Sequence, residues 1–172
     1  MPGLSRITGS TSTHSGTNDE GQSCLNAENI KLDKAEIRAL IPHSGTMCLL
    51  DGVIEWDNDS IACISETHRE STNPLRRNGR LSAVHAIEYG AQAAAVHGGL
   101  RARAAGTTAP PGYLVAVRDA QLNVERLDDI PSSLVVRAGR LFGEAANPVY
   151  EYEISAGDRM LARGRVTIML RK

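Results

Sequence analysis

The long segment rich in alanine and glycine at residues 81–104 constrains the fold of this chain more than any other feature. It is predicted to be one helix, because Ser82 can cap its start and no proline interrupts it. A surface helix needs larger side chains on its buried stripe to gain much from burial. This composition is favoured where other backbone elements pass very close, so we predict a central helix. Its small residues are Ala83, Ala86, Gly90, Ala91, Ala93, Ala94, Ala95, Gly98 and Gly99.

The rest of the chain is predicted to form one short helix and several strands. The helix covers Lys34–Leu40, with Asp33 as its cap and Pro42 at its end. Strands clustered around one buried helix indicate the α+β class with an antiparallel sheet. We predict these strands at residues 47–56, 60–67, 113–127, 134–141, 149–155 and 160–170.

The composition argues against several classes of protein. The chain has 19 Lys and Arg against 20 Asp and Glu, a net charge of −1, whereas a nucleic-acid-binding protein normally carries a basic excess. Aromatic residues make up only 3% of the chain, which disfavours a surface for stacking bases. No segment approaches the roughly 18 apolar residues of a membrane span. We therefore expect neither a nucleic-acid partner nor a membrane span.

Cysteine usage and the N-terminal composition indicate the compartment and the domain organisation. Cys24, Cys48 and Cys63 are odd in number and lack CxxC spacing, so neither a disulfide framework nor a zinc site is expected. A reducing cytoplasm fits this pattern best. Residues 1–29 are rich in Ser, Thr and Gly, and we predict a disordered tail there. Residues 30–172 are then predicted to form a single domain.

Glu88 is the carboxylate with the most unusual setting, because it lies on the small-residue helix with Gln92 one turn later on the same face. It is either a solvated glutamate or a general acid/base whose pKa is raised by an apolar site.

Four histidines can accompany Glu88, and each can instead be a surface or core imidazole: His43, His68, His85 and His97. None of them forms an HExxH pair, so no metal site is predicted. The chain has no GxSxG elbow, GxGxxG or P-loop, which disfavours a nucleotide-dependent enzyme and a standard serine hydrolase.

Two motifs resemble hotdog-fold 3-hydroxyacyl-[acyl-carrier-protein] dehydratases. Leu-Ile-Pro-His at positions 40–43, followed by Met-Cys-Leu-Leu-Asp-Gly-Val at 47–53, is similar to the opening of that family. Ile-Glu-Tyr-Gly-Ala-Gln at 87–92 resembles the start of its central helix, where a catalytic acid precedes an Ala-Gln pair. The closest resemblance is to the dehydratase-like branch of aryl-polyene-type biosynthetic clusters. It adds His-Arg at 68–69, Asn-Pro-Leu-Arg-Arg at 73–77, Gly-Arg-Leu at 79–81 and His-Gly at 97–98.

The resemblance implies a hotdog fold, in which an antiparallel sheet wraps around one long central helix. It implies dehydration of 3-hydroxyacyl thioesters to trans-2-enoyl thioesters in fatty-acid or polyene/polyketide-type biosynthesis. The acyl chain would be carried on the phosphopantetheine arm of an acyl carrier protein, with no metal or redox cofactor. The expected assembly is a homodimer or a heterodimer with another hotdog subunit.

The resemblance also implies roles for residues of the central helix. Glu88 matches the catalytic carboxyl group, and Ala83 and Val84 match the region whose backbone N–H groups polarise the thioester carbonyl. Gln92 and His85 are expected to bind substrate beside Glu88.

The family's catalytic base cannot be carried over, because its loop histidine has no counterpart here. Pro74 stands at that position, and residues 73–80 replace the loop. His43 is the first candidate for the base, His85 the second through its spacing to Glu88, and His68 the third, while a site without a histidine base is the remaining possibility.

Arg76, Arg77 and Arg80 form a basic cluster before the helix. It is either a solvated loop or a docking site for an acidic carrier protein, for which Arg76 and Arg77 are the expected contacts. Two other functions stay open on the same fold. One is a non-catalytic subunit that binds acyl chains or completes a heterodimer, and the other is acyl-thioester hydrolysis.

Overall fold

The computed structural model describes residues 30–142 and 147–171, so the predicted disordered tail lies outside the described residues. The elements in chain order are strand β1 (Leu32–Asp33), helix α1 (Lys34–Leu40), β2 (Gly52–Trp56), β3 (Ser60–Ser65), α2 (Ala86–Ala104), β4 (Gly112–Leu122), β5 (Leu134–Phe142), β6 (Val149–Ala156) and β7 (Arg159–Leu170). Three 3₁₀ turns, Gly45–Met47, Thr67–Arg69 and Ala83–His85, connect them. No helix in the described ranges is long and apolar enough to cross a membrane.

The strands form one seven-stranded sheet in the order β1-β2-β3-β5-β6-β7-β4. Every neighbouring pair is antiparallel. The single long helix α2 packs against β3, β5, β6 and β7. The predicted α+β class, with an antiparallel sheet wrapped around one long helix, is therefore confirmed.

Helix α1 has the predicted bounds and the predicted cap. The Asp33 carboxylate accepts a hydrogen bond from the Glu36 amide at 2.9 Å, and the Glu36 carboxylate accepts one from the Asp33 amide at 2.9 Å. Such a reciprocal box stabilises a helix by about 1 kcal/mol. Ile37 is fully buried, and the chain leaves the helix at Ile41, before Pro42.

Small residues of α2 let other elements approach it closely, as predicted. A Cβ atom added to Gly90 would lie 2.5 Å from Cγ of Tyr152 on β6. A Cβ atom on Gly99 would lie 3.1 Å from Cβ of Leu40. Helix α2 is thus in contact with the sheet on one side and with the end of α1 on another. The second contact brings the residues that follow α1 close to α2.

Three predicted boundaries were wrong. Strand β2 begins at Gly52 rather than at residue 47, because Gly45–Met47 form a 3₁₀ turn. Ser82 makes no capping hydrogen bond, since the 3₁₀ turn Ala83–His85 separates it from the start of α2 at Ala86. The strand predicted at 113–127 ends at Leu122, after two irregularities in its pairing with β7.

Candidate active site

A histidine and a carboxylate from different elements meet where α1 ends beside α2. Nε2 of His43, which follows α1, lies 3.3 Å from Oε1 of Glu88 in the first turn of α2. Each side chain is 29% exposed, so the pair is enclosed but still reachable. The first-ranked histidine of the sequence is therefore the one that lies against Glu88.

Gln92 fixes this pair from one turn further along α2. Its Nε2 donates to Oε1 of Glu88 at 2.9 Å and to the Met47 carbonyl oxygen at 2.8 Å. Its Oε1 accepts from the Leu49 amide at 2.9 Å, and its side chain is fully buried. Both N–H groups of the amide are occupied within the protein, and a contact of Gln92 with substrate stays a prediction. Gln92 is a positioning residue that fixes Glu88 and ties α2 to the segment before β2.

The pKa of Glu88 is lowered, which overturns the expectation of a raised value. The largest cause is the hydrogen bond with His43, and the hydrogen bond from Gln92 acts in the same direction. Burial alone would raise the pKa, but these bonds outweigh it. At neutral pH the carboxylate is ionised and accepts hydrogen bonds only, so the hydrogen between the pair belongs to Nε2 of His43.

The second and third histidine candidates are differently placed. Nε2 of His68 lies 3.1 Å from the Ile130 carbonyl oxygen, and the whole side chain is buried. Burial lowers the pKa of His68. His85 is half-buried, and its pKa is lowered by burial and by Arg77, while the Glu88 charge opposes this shift. His85 is thus an electrostatic neighbour of Glu88 without a hydrogen bond to it.

The backbone amides of Ala83 and Val84, at the start of the helical segment, were expected to polarise the thioester carbonyl. The Ala83 N–H donates to the Glu125 carbonyl oxygen at 3.0 Å, so its expected role in polarising a thioester is wrong. Val84 comes next in the same 3₁₀ turn and is 48% exposed. Its contact with a thioester stays a prediction.

The segment that replaces the family's loop is held by internal hydrogen bonds. The Arg76 guanidinium donates to the carbonyl oxygens of His68 and Arg69 at 3.0 Å and of Gly79 at 2.8 Å. Its side chain is only 14% exposed, so Arg76 stabilises the loop and is poorly placed for docking. Arg77 is exposed, and the docking prediction now depends on it.

Asn73, at the start of the segment that replaces the family's loop, belongs to a buried polar cluster that was not predicted. Nδ2 of Asn73 donates to the Tyr89 hydroxyl at 3.0 Å and to the Thr67 carbonyl oxygen at 2.9 Å. The Thr67 and Tyr89 hydroxyl groups lie 3.0 Å apart. Burial raises the pKa of Tyr89 to about 12, so this phenol stays protonated. No spacing in the sequence indicated that Thr67, Asn73 and Tyr89 would lie together.

A long cavity of about 840 Å³ runs along α2 from the His43–Glu88 pair. One wall follows residues at alternating three- and four-residue intervals from Glu88, which places them on one face of the helix: Ala91, Ala95, Gly98 and Ala102. Arg101 lines the far end of the cavity, roughly 20 Å from Glu88 along the helix axis, and Arg140 and Tyr150 are also among the lining residues.

The cavity is lined by none of the four residues expected to bind substrate, Ala83, Val84, His85 and Gln92. A second cleft of about 610 Å³ crosses the sheet and is lined by charged side chains, but it contains no predicted site residue. In the described ranges, no three His, Cys, Asp or Glu side chains are grouped as metal ligands.

Comparison with known proteins identifies the family. The ApeP-like family model, described as ApeP dehydratase, matches residues 35–172. Comparison with curated proteins finds no match.

Solved structures agree on the fold. The dehydratase heterocomplex ApeI:P from Xenorhabdus doucetiae matches with a TM-score of 0.72 and 24% identity, over 79% of this chain and 91% of that chain. AziG from S. sahachiroi matches with a TM-score of 0.51 and 20% identity, over 77% of this chain and 99% of that chain. The hypothetical protein SAV0944 from Staphylococcus aureus matches with a TM-score of 0.52 and 11% identity, over 70% and 92%. These likenesses confirm the hotdog fold, and the family match confirms the resemblance seen in the sequence. The chain belongs to the ApeP-like dehydratase family.

Proposed function

We propose that this protein converts 3-hydroxyacyl thioesters, carried on the phosphopantetheine arm of an acyl carrier protein, to trans-2-enoyl thioesters in the assembly of polyene-type acyl chains. The observation that carries the proposal is the His43–Glu88 pair at one end of a long cavity with walls of small residues. Membership of a dehydratase family supports the reaction type. The cavity supports a substrate with a long chain attached to the reacting carbons.

The reaction needs one proton to be removed and one to be supplied. The Cα–H and Cβ–O bonds break, a carbon–carbon double bond forms, and the hydroxyl group leaves as water. Glu88 is ionised and Nε2 of His43 carries a proton, so the pair contains both an acceptor and a donor. The pair takes the α-proton and supplies the proton of the leaving hydroxyl, which restores its starting state. The elimination is redox-neutral, and no cofactor is part of the proposal.

We infer that the active assembly includes a second hotdog subunit paired along β4. This strand is at the end of the sheet order and exposes large apolar side chains, among them Tyr113, Leu114 and Val115. An apolar edge strand favours pairing with another strand. Tyr113 and Leu114 also line the cavity, so the partner would close its open side. The likeness to a dehydratase heterocomplex supports a partner of different sequence.

Carrier-protein docking is proposed at Arg77, beside the start of the helical segment. This arginine is exposed and donates through Nη1 alone to the carbonyl oxygens of Pro74 and Arg76, whereas Arg76 is only 14% exposed. Replacement Arg77→Glu should weaken binding of an acidic carrier protein. The matched control is Arg103→Glu at an exposed position in the last turn of α2. Equal affinities of the two variants would contradict docking at Arg77.

A test of the reaction is mass spectrometry of a 3-hydroxyacyl carrier protein incubated with this chain, alone and with its partner subunit. The acyl chain should lose one water. Glu88→Gln and His43→Gln should each lower the rate of dehydration roughly 100- to 10,000-fold, because general acid–base catalysis contributes that much. Glu153→Gln on the exposed sheet surface is the control and should retain full activity. Release of free thiol instead of water would identify a thioesterase.

A non-catalytic subunit is the second candidate, because Pro74 stands where the family has its loop histidine. In that case dehydration would require the partner and would survive replacement of both His43 and Glu88. Loss of dehydration in these variants, with the heterodimer still formed, would reject the non-catalytic role.

A further inference from the structure

Leu49 lies outside the helices and strands, and side chains hold both of its backbone groups. It comes between the 3₁₀ turn Gly45–Met47 and β2. Its N–H donates to Oε1 of Gln92 at 2.9 Å. Its carbonyl oxygen accepts from the hydroxyl groups of Ser65 at 2.6 Å and Thr67 at 2.8 Å. The position of Leu49 therefore depends on these three side chains.

The hydrogen atoms around Thr67 have one consistent arrangement. Thr67 uses its hydroxyl hydrogen on the Leu49 carbonyl oxygen, so its Oγ1 accepts from the Tyr89 hydroxyl, 3.0 Å away. The Tyr89 oxygen in turn accepts from Nδ2 of Asn73 at 3.0 Å. The Leu75 amide donates to Oδ1 of Asn73 at 3.0 Å, which fixes the orientation of the Asn73 amide. A directed chain of hydrogen bonds thus runs from Asn73 to Leu49.

This chain of hydrogen bonds continues from Leu49 to the reacting pair. Leu49 donates to Gln92, and Nε2 of Gln92 donates to Oε1 of Glu88 at 2.9 Å. Tyr89 follows Glu88 directly in α2, so the hydrogen bonds and the helix backbone form a closed ring. The side chains of Tyr89, Thr67 and Gln92 are buried, so bulk water does not compete for these bonds. Removal of one hydroxyl group would leave its neighbours without a partner, and the ring would have to rearrange.

We propose that Tyr89 and Thr67 are positioning residues for dehydration, because their hydroxyl groups fix the orientation of the Glu88 carboxylate. They act through Leu49 and Gln92 and need no contact with the substrate. The inference rests on the proposed function in taking Glu88 as one of the reacting groups.

Turnover of Tyr89→Phe and Thr67→Val tests the proposal, because each variant removes a hydroxyl group and retains most of the shape of the side chain. The substrate is a 3-hydroxyacyl carrier protein, and the partner subunit is added where one is required. We expect kcat to fall roughly 10- to 100-fold with KM nearly unchanged, since a displacement of about 1 Å at a reacting group has effects of this size. Thr67→Ser restores the hydroxyl group and should retain most of the activity.

The titration of Glu88 is a second readout, which a role in folding alone would not move. The hydrogen bond with His43 is the largest cause that lowers the pKa of Glu88, and the hydrogen bond from Gln92 is a further cause. The charges of His43, after α1, and of His85, before α2, act in the same direction and remain in both variants. When Gln92 is displaced, the pKa of Glu88 should rise. The acid limb of the kcat/KM profile should then move to higher pH.

Tyr152→Phe is the matched control. Tyr152 is also a buried tyrosine packed against α2, and its hydroxyl group finds no hydrogen-bond partner among the described residues. This variant should leave kcat and the Glu88 titration unchanged. Thermal transitions verify folding, and each hydroxyl variant tests the ring by itself, so one folded variant is sufficient.

Three results would overturn the proposal. They are an unchanged kcat in a folded Tyr89→Phe or Thr67→Val variant, a loss in Thr67→Ser as large as in Thr67→Val, and an equal loss in Tyr152→Phe. Carboxyl NMR of the free protein separates this inference from the proposed function. A Glu88 pKa that rises in the variants of a protein that does not dehydrate its substrate would refute the proposed function alone. Dehydration with an unmoved Glu88 pKa in the variants would refute this inference alone.

Discussion

Two faces of helix α2 are built from the same small residues but serve opposite purposes. On the sheet-facing side, Gly90 lies under Tyr152, and an added Cβ atom would collide at 2.5 Å. On the cavity-facing side, an added Cβ atom on Gly98 would have no neighbour within 4 Å. Small side chains therefore permit close packing on one face and leave space on the other. Composition alone reports the small residues but not which of these two uses applies.

The comparison also locates the chemistry. Glu88 lies at the start of the cavity-facing stripe, and the residues that follow on that face lead away from it: Ala91, Ala95, Gly98 and Ala102. We infer that one face of the helix positions a long chain against one acid–base pair, while the other face supplies the rigid support.

The largest effect is expected from the pair itself. Glu88→Gln and His43→Gln combined should lower turnover about as much as either change alone, because residues that act as a unit are not additive. The measurement is single-turnover dehydration, with the thermal transition as a check of folding. Losses that multiply in the double variant would show two independent groups and contradict the pair.

A bulky residue on the cavity-facing side should alter chain-length preference. Ala95→Leu places a larger side chain midway along the cavity and should lower kcat/KM for long acyl chains by roughly tenfold or more. Short chains that end before Ala95 should react as before, and they serve as the internal control. An equal loss for both lengths would mean that the chain does not follow this face.

Matched glycine replacements separate the two faces by stability. Gly90→Ala should lower the free energy of unfolding by about 1–3 kcal/mol, because the new methyl group overpacks against Tyr152. Gly98→Ala should raise it by about 0.5–1 kcal/mol, since alanine is the better helix former and the space is open. Denaturant unfolding measures both. Similar signs for the two variants would contradict the contrast between the faces.

The smallest effect is a shift in a single titration. His43→Gln removes the largest cause that lowers the pKa of Glu88, so that pKa should rise. A carboxyl group whose pKa is lower in the folded state stabilises the protein at pH values above its unfolded-state pKa. This stability is lost as the pH falls through the folded-state pKa. The variant should therefore lose less stability on acidification than the unmodified protein. Carboxyl NMR titration checks the shift, and an unchanged Glu88 titration would refute the assigned cause.

Local patterns predicted the elements whose causes are local. The Asp33 cap, the bounds of α1 and the shared face of Glu88 and Gln92 follow from spacing within one helix. The role of Gln92 did not follow, because its partners Met47 and Leu49 are more than forty residues away in the chain.

The errors at the site have the same origin in tertiary contacts. The direction of the Glu88 pKa depends on which side chains lie beside it, and sequence spacing does not determine this. The Ala83 amide is taken by the Glu125 carbonyl group from a distant loop. The cavity lining joins Arg101 and Tyr150 from separate elements, so no motif marks it.

The most direct test is a crystal structure of the protein, with its partner subunit where one is required, bound to an unreactive 3-hydroxyacyl-pantetheine amide. We expect the β-hydroxyl within hydrogen-bond distance of His43 or Glu88, and the acyl chain in van der Waals contact with Ala91, Ala95 and Gly98. A chain bound in the charged cleft across the sheet, with the His43–Glu88 pair untouched, would contradict the account.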